Sequence, residues 1–134
     1  MANAIYPKWK EGLMQGSANT SLTGTLKAAL VDAGTYTYSS AHQFYSSVSG
    51  VQGTPVALTT KTYTNGVLDA DDLTWTSVSG VSAEAIILYI DTGVAGTSPL
   101  VAYLDTGYTG LPVTPNGGNI TVAWDNGANK IFAL

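Results

Sequence analysis

Cysteine is absent from the chain, which excludes disulfides, thiolate-ligated zinc and iron–sulfur centres and leaves stability to packing and hydrogen bonds. Arginine is absent too: the five cations are all lysine, against nine carboxylates, for a net charge of −4. Phosphate and guanine recognition draw on clustered cations and favour the bidentate guanidinium, so nucleic acid is not an expected partner. The single histidine, His42, cannot form a His-based metal cluster. No run approaches the ~20 consecutive apolar residues that a membrane-spanning helix requires, so no membrane partner is expected. The opening Met1–Lys10 lacks the basic-then-apolar order of a secretory signal, and the chain reads as a soluble product made in a cytoplasm.

What remains is a chain rich in Thr, Val, Ile and Tyr, punctuated by Gly, Asn, Asp and Pro. That mixture reads as closely spaced strands and turns. Its 134 residues fit one domain, 1–134, with no linker or charge block, and with 10% charged residues its surface must be largely Thr, Ser, Asn, Gln and Gly. Strands are expected over Thr25–Val31, Val56–Thr60, Leu73–Val78, Ala83–Ile90 and Leu100–Leu104. Asn65-Gly66 and Asn126-Gly127 mark two tight hairpins, the second joining Ile120–Trp124 to Lys130–Phe132. The expected fold is mainly β, a single antiparallel β-sandwich of jelly-roll type.

Two short helices are expected on it. The first lies within an N-terminal segment 1–18 that packs on or extends from the domain: Pro7 suits the first helical position and Gly16 the stop, giving Pro7–Gln15. Tyr6, Trp9, Leu13 and Met14 fall on its apolar side. The second spans Ala41–Val48, where Ser40 and Gln43 have capping-box spacing. The segments Ile86–Ile90 and Leu100–Leu104 are apolar throughout, where a strand with one wet face should alternate, so both their faces must be covered. The cover is either a second sheet together with the N-terminal helix, or a second subunit.

No constellation for catalysis assembles. Asp-Thr-Gly occurs at Asp91-Thr92-Gly93 and Asp105-Thr106-Gly107, and aspartic proteases place a proton-sharing carboxylate on this tripeptide. Two copies so close in one hairpin cannot face each other, and Val94 and Tyr108 stand where a small residue is needed; the expected role is a turn in which Asp caps its own backbone. Asp69, Asp71 and Asp72 lack the Gly and terminal Glu of an EF-hand loop and read as a solvated loop. His42 has no Cys and no Gly-x-Ser-x-Gly turn to serve as nucleophile, and Asn116-Gly117-Gly118-Asn119 lacks the Lys-Ser/Thr ending of a phosphate loop. No catalytic, cofactor-binding or metal-binding residue is therefore assigned, and the protein is not expected to be an enzyme. Tyr36 and Tyr38, alternating on one side of an extended segment, could form a sugar-stacking platform; aromatic residues otherwise anchor cores and protein interfaces.

Four stretches carry a family likeness across essentially the whole chain: Tyr6-Pro7-Lys8-Trp9-Lys10-Glu11-Gly12-Leu13, Leu26–Asp32, Asp69–Thr74, and the closing Gly110–Val122 through Asn129–Phe132. With these the sequence resembles small structural proteins of tailed bacteriophages, of the head-decoration type. The resemblance implies a virion component made in the host bacterial cytoplasm, a decoration or cement protein on the head surface that binds the major capsid protein. The alternative is a tail-associated or glycan-binding module. A dimer or trimer is expected, with contacts drawn from Tyr6, Trp9, Leu13 and Met14 of the helix and Ile87, Tyr89, Leu100 and Tyr103 of the apolar strands. Without a carboxylate dyad or an ion cage, the purified protein should cleave no peptide between about pH 3 and 7, and its melting temperature should not respond to millimolar Ca²⁺ or to chelator; pepstatin-sensitive cleavage or a strong Ca²⁺ response would contradict this.

Overall fold

A computed structural model describes residues 3–105, 108–124, 127–128 and 130–134. The strand-forming segments become β1 (Ala4–Ile5), β2 (Leu26–Val31), β3 (Val51–Ala57), β4 (Val67–Leu68), β5 (Leu73–Trp75), β6 (Ala85–Ile90), β7 (Leu100–Leu104), β8 (Ile120–Val122) and β9 (Phe132–Ala133), with the helix α1 over Pro7–Gln15. The protein is mainly β. A five-stranded antiparallel sheet runs β1-β7-β6-β2-β3, and β4–β9 and β5–β8 form two-stranded ribbons. The ribbon residues Leu68, Leu73, Trp75, Ile120, Val122, Ile131 and Phe132 join the same core as the large sheet, an arrangement consistent with an antiparallel sandwich.

The pairing register explains why β6 and β7 are apolar throughout. One face of the sheet carries Leu26, Ala28 and Leu30 opposite Ile90, Leu88 and Ile86, continued by Ala102 and Leu104 of β7. On this side Ile5 and Leu104 line an open trough with Ile131 and Phe132, which sets β9 beside this face. The opposite face carries Ala29, Val31, Ala85, Ile87, Tyr89, Leu100 and Tyr103. It lies beneath a strap, residues 32–50: the Tyr45 ring stacks on Tyr89 at 3.9 Å, and Tyr36 and Tyr38 lie against Tyr103 at 6.4 and 5.9 Å between ring centroids. The second cover is thus a loop of the same chain, and not the N-terminal helix.

That strap replaces the helix expected over Ala41–Val48. Only Tyr45–Ser47 makes a single 3-10 turn, and Phe44 is extended. The Tyr45 N–H donates to the Ser98 carbonyl and the Leu100 N–H to that of Gln43, around a bridge between Phe44 and Pro99. Hydrogen bonds to the chain entering β7 use the groups that a helix would have turned inward on itself.

The Asn65-Gly66 hairpin forms as expected. Asn65 and Gly66 both have positive φ, 56° and 75°, and the Thr62 and Asp69 backbones exchange two hydrogen bonds across it. Around Asn126-Gly127, Asn126 is outside the described residues, and the flanking strands do not pair with each other: Ile120–Val122 pairs with β5 and Phe132–Ala133 with β4. The Asp91 carboxylate accepts the Gly93 N–H at 2.8 Å, the turn role expected of the first Asp-Thr-Gly; Thr106 and Gly107 of the second lie outside the described residues. Pro55, which cannot donate to a ladder, sits on the outer strand β3 where its register with β2 shifts.

Ile87 is fully buried between β2 and β7, whereas Val94 is 61% exposed in the β6–β7 turn. Ile87→Ala should therefore lower the unfolding free energy by about 2–5 kcal/mol, and Val94→Ala by no more than about 0.5 kcal/mol. Urea titration of both variants checks the contrast, and equal effects would refute the two-sided burial of β6.

Candidate interaction surface

Helix α1 begins with Pro7, whose fixed φ suits the first turn, and stops at Gly16, which takes the left-handed conformation at φ 65°. The Gly16 N–H donates to Leu13 and the Ser17 N–H to Gly12, closing the last turn and reversing the chain. Trp9 is driven inward: its ring meets Phe132 edge-on at 6.0 Å, and its indole N–H donates to the Thr20 carbonyl at 2.9 Å. Gly12 allows the close approach of the returning chain, since a Cβ there would lie 2.8 Å from the Thr20 methyl.

The helix and this returning loop leave between them an open groove of about 370 Å³, lined by Trp9, Leu13, Leu22, Tyr63 and Leu134 with Thr20, Ser21 and Thr23. Its far wall is held by Lys61, whose ammonium donates to the Leu22 and Gly24 carbonyls at 2.8 and 2.6 Å, and by the Tyr63 hydroxyl, which donates to Leu22 at 3.0 Å. Partial burial pushes the Lys61 ammonium below its usual range. Next to Leu13 along the helix, Met14 stands 81% exposed. Of the large apolar side chains exposed among the described residues, Tyr63 and Leu134 line this groove and Met14 lies on the helix beside it.

The eight contact residues expected from the sequence divide sharply. Tyr6, Trp9, Ile87, Tyr89, Leu100 and Tyr103 are all buried within this one chain. They form its core and offer no surface to a partner in this fold. Leu13 is half-buried in the groove wall, and Met14 points outward, away from the apolar side of the helix to which spacing assigned it. Leu22 and Tyr63 complete the groove without having been expected. Both follow turn-rich segments, and only the fold of 16–25 against the 62–69 hairpin brings them together.

Of the carboxylates that the sequence singles out, Asp69, Asp71, Asp72 and Asp91 are held in structural contacts. Asp91 and Asp105 follow the far ends of the antiparallel pair β6 and β7, so the register holds them apart at opposite ends of the sheet. Asp91 pairs with Lys27 at 2.7 Å, and that contact, with the Gly93 N–H, holds its carboxyl below the usual range. Asp71 accepts from the hydroxyls of Thr59 and Thr60, and Asp72 from the Trp124 N–H. Among the described residues no three His, Asp or Glu side chains gather as a metal cage would require. Burial raises the phenols of Tyr6, Tyr36, Tyr45, Tyr89 and Tyr103, so none is a base near neutrality. Tyr36 is 2% exposed and Tyr38 packs between Tyr6 and Tyr103, so the proposed sugar platform does not exist as an open face.

No protein-family model matches the chain, and no curated protein is significantly similar to it.

The Lys27–Asp91 pair sets a pH dependence whose sign follows from the depressed carboxyl. Its stabilisation is present above the usual aspartate range and is lost as the pH falls through the lowered folded-state value. Asp91→Asn should cost about 0.5–1 kcal/mol at neutral pH, and the gap from the native chain should close as the pH falls through the lowered carboxyl value. Denaturation midpoints measured across that range test it; a gap that persists in acid would assign the loss to the turn and not to the ion pair.

Proposed function

We propose that the protein is a non-enzymatic structural component of a tailed-phage virion, a decoration or cement protein that binds the major capsid protein on the head surface and works as a dimer or trimer. The observation that carries this reading is the open apolar groove beside α1, with Tyr63 and Leu134 exposed in its lining, on a chain with only 10% charged residues. A concave apolar patch rimmed by hydroxyl side chains suits a protein surface, since contiguous exposed apolar area marks interaction sites. The rim is Thr20, Ser21 and Thr23. The phage setting rests on the likeness in Tyr6–Leu13 and in the closing block Gly110–Val122.

The physics of decoration fits a modest groove. A ligand that binds only the assembled lattice stabilises that lattice by mass action, and many weak contacts on one particle add through multivalency. A dense, self-covered β domain without titrating catalytic groups is a suitable rigid bridge between neighbouring subunits. The buried faces of β6 and β7 take no part in this; the contact falls to the groove.

Mass spectrometry of purified particles should find the protein at high copy number relative to the major capsid protein, and imaging should place it on the head. Leu134→Asp, on a groove side chain that is 63% exposed and contributes little to the core, should leave the melting curve unchanged and weaken binding to heads by about tenfold. Heads lacking the protein should release DNA at lower temperature. Copies confined to the tail, or undiminished head stability together with undiminished binding by the variant, would reject the reading.

A further inference from the structure

Three polar side chains form a single hydrogen-bonded row beneath the strap. The Tyr6 and Tyr36 hydroxyls lie 2.7 Å apart, and the Tyr36 hydroxyl lies 2.8 Å from His42 Nδ1. Tyr6 is fully buried and Tyr36 is 2% exposed, so neither hydroxyl has water to turn to; His42 is half-buried at the outer end. The row joins the start of α1 to both ends of the 36–42 stretch of the strap. Among the described residues neither hydroxyl has another partner.

Counting hydrogens gives the row a single permitted state. With a neutral imidazole whose Nδ1 carries a lone pair, Tyr6 donates to Tyr36 and Tyr36 donates to His42, so each buried hydroxyl hydrogen is used. A second proton on the ring turns Nδ1 into a donor. Three hydrogens then compete for two links, and one is left buried without an acceptor whichever way the row is rearranged. Leaving a buried donor unsatisfied is costly, while an opened strap hands all three groups to water.

The surroundings do not offset this. From the strap Tyr38, from the β1–α1 junction Tyr6, and from β7 Tyr103 face the row. The carboxylates Glu84 and Asp105 act on Tyr103. Tyr36, which touches His42, is hydrogen-bonded to Tyr6, packs beside Tyr103 and lies near Tyr38. Imidazoles ordinarily take up their second proton between pH 5 and 8.

We propose that residues 33–49 form an acid-released latch: protonation of His42 breaks the Tyr6–Tyr36–His42 row, loosens the strap and uncovers the sheet face that bears Ile87, Tyr89 and Tyr103. Hydrogen exchange on the full chain, corrected for intrinsic rates, reads this directly. The amides of Tyr36, Tyr45 and Val48 donate to Asp32, Ser98 and Tyr45 carbonyls and report the strap, while β6 reports the core. Between about pH 7.5 and pH 5 the strap amides should lose about tenfold protection or more relative to β6. His42→Gln, whose amide oxygen accepts at every pH, should keep the strap closed in acid. Tyr36→Phe, which orphans Tyr6 at every pH, should lower protection of the strap and remove its pH dependence; if it does not fold, His42→Gln alone decides. Strap protection that tracks β6 throughout, or a His42→Gln variant as acid-sensitive as the native chain, would overturn the proposal.

Discussion

The structure depends on one constraint: β6 and β7 are apolar on both faces, and an exposed sheet face made of Ile, Leu and Tyr would cost roughly 1.5–3 kcal/mol for each large side chain left in water. Every residue of both strands is buried, so every other element serves as cover or as a tie for cover. β9, held by its ribbon to β4, lies along the side bearing Leu88 and Leu104, and both ribbons add their apolar residues to that core. The strap 32–50 closes the side bearing Ile87 and Tyr103. Helix α1 then fastens the edge, with Trp9 wedged against Phe132 of β9.

The two covers differ in kind. On the β9 side the closure is strand against sheet, with backbone ladders supporting it. Over the other face the strap supplies mainly rings, Tyr36, Tyr38 and Tyr45, and two backbone hydrogen bonds to the β7 entry. A loop secured by aromatic contacts and one buried hydroxyl row opens more cheaply than a laddered strand, because fewer backbone bonds must break together. That difference locates responsiveness in the strap and rigidity in the remainder. The groove beside α1 lies away from this contrast, on a helix pinned by an indole hydrogen bond and a left-handed glycine stop.

The site was less legible in the sequence than the fold. Helical spacing put Trp9, Leu13 and Met14 on one face, but a nine-residue helix docked on one side buries a narrow stripe, and Met14 falls outside it. Continuous apolarity in Ile86–Ile90 and Leu100–Leu104 correctly demanded two covers, but the second was expected from the N-terminal helix or a second subunit, and a loop of the same chain, which makes the same demand on the sequence, supplies it. The strap was misread as a helix because Ser40 and Gln43 satisfy a local capping pattern; pairing with Gln43–Tyr45 by the chain at Ser98–Leu100 prevailed, a contact across more than fifty residues that no local pattern encodes.

Local chemistry in the sequence by itself determined the β class, α1 from Pro7 to its Gly16 stop, the strand Leu100–Leu104 and the Asn65-Gly66 hairpin. Each is set by backbone preferences of neighbouring residues, by fixed φ at Pro7, by positive φ at Gly16, Asn65 and Gly66, and by β-branched or aromatic strand formers. Only the tertiary structure decided which strands pair, that Ile120–Val122 joins β5 and Phe132–Ala133 joins β4, and that Tyr6, Tyr36 and His42 share one proton row. Those outcomes turn on how two apolar faces can be closed with the chain available, a global packing requirement that acts on residues far apart in sequence and is invisible to any local spacing.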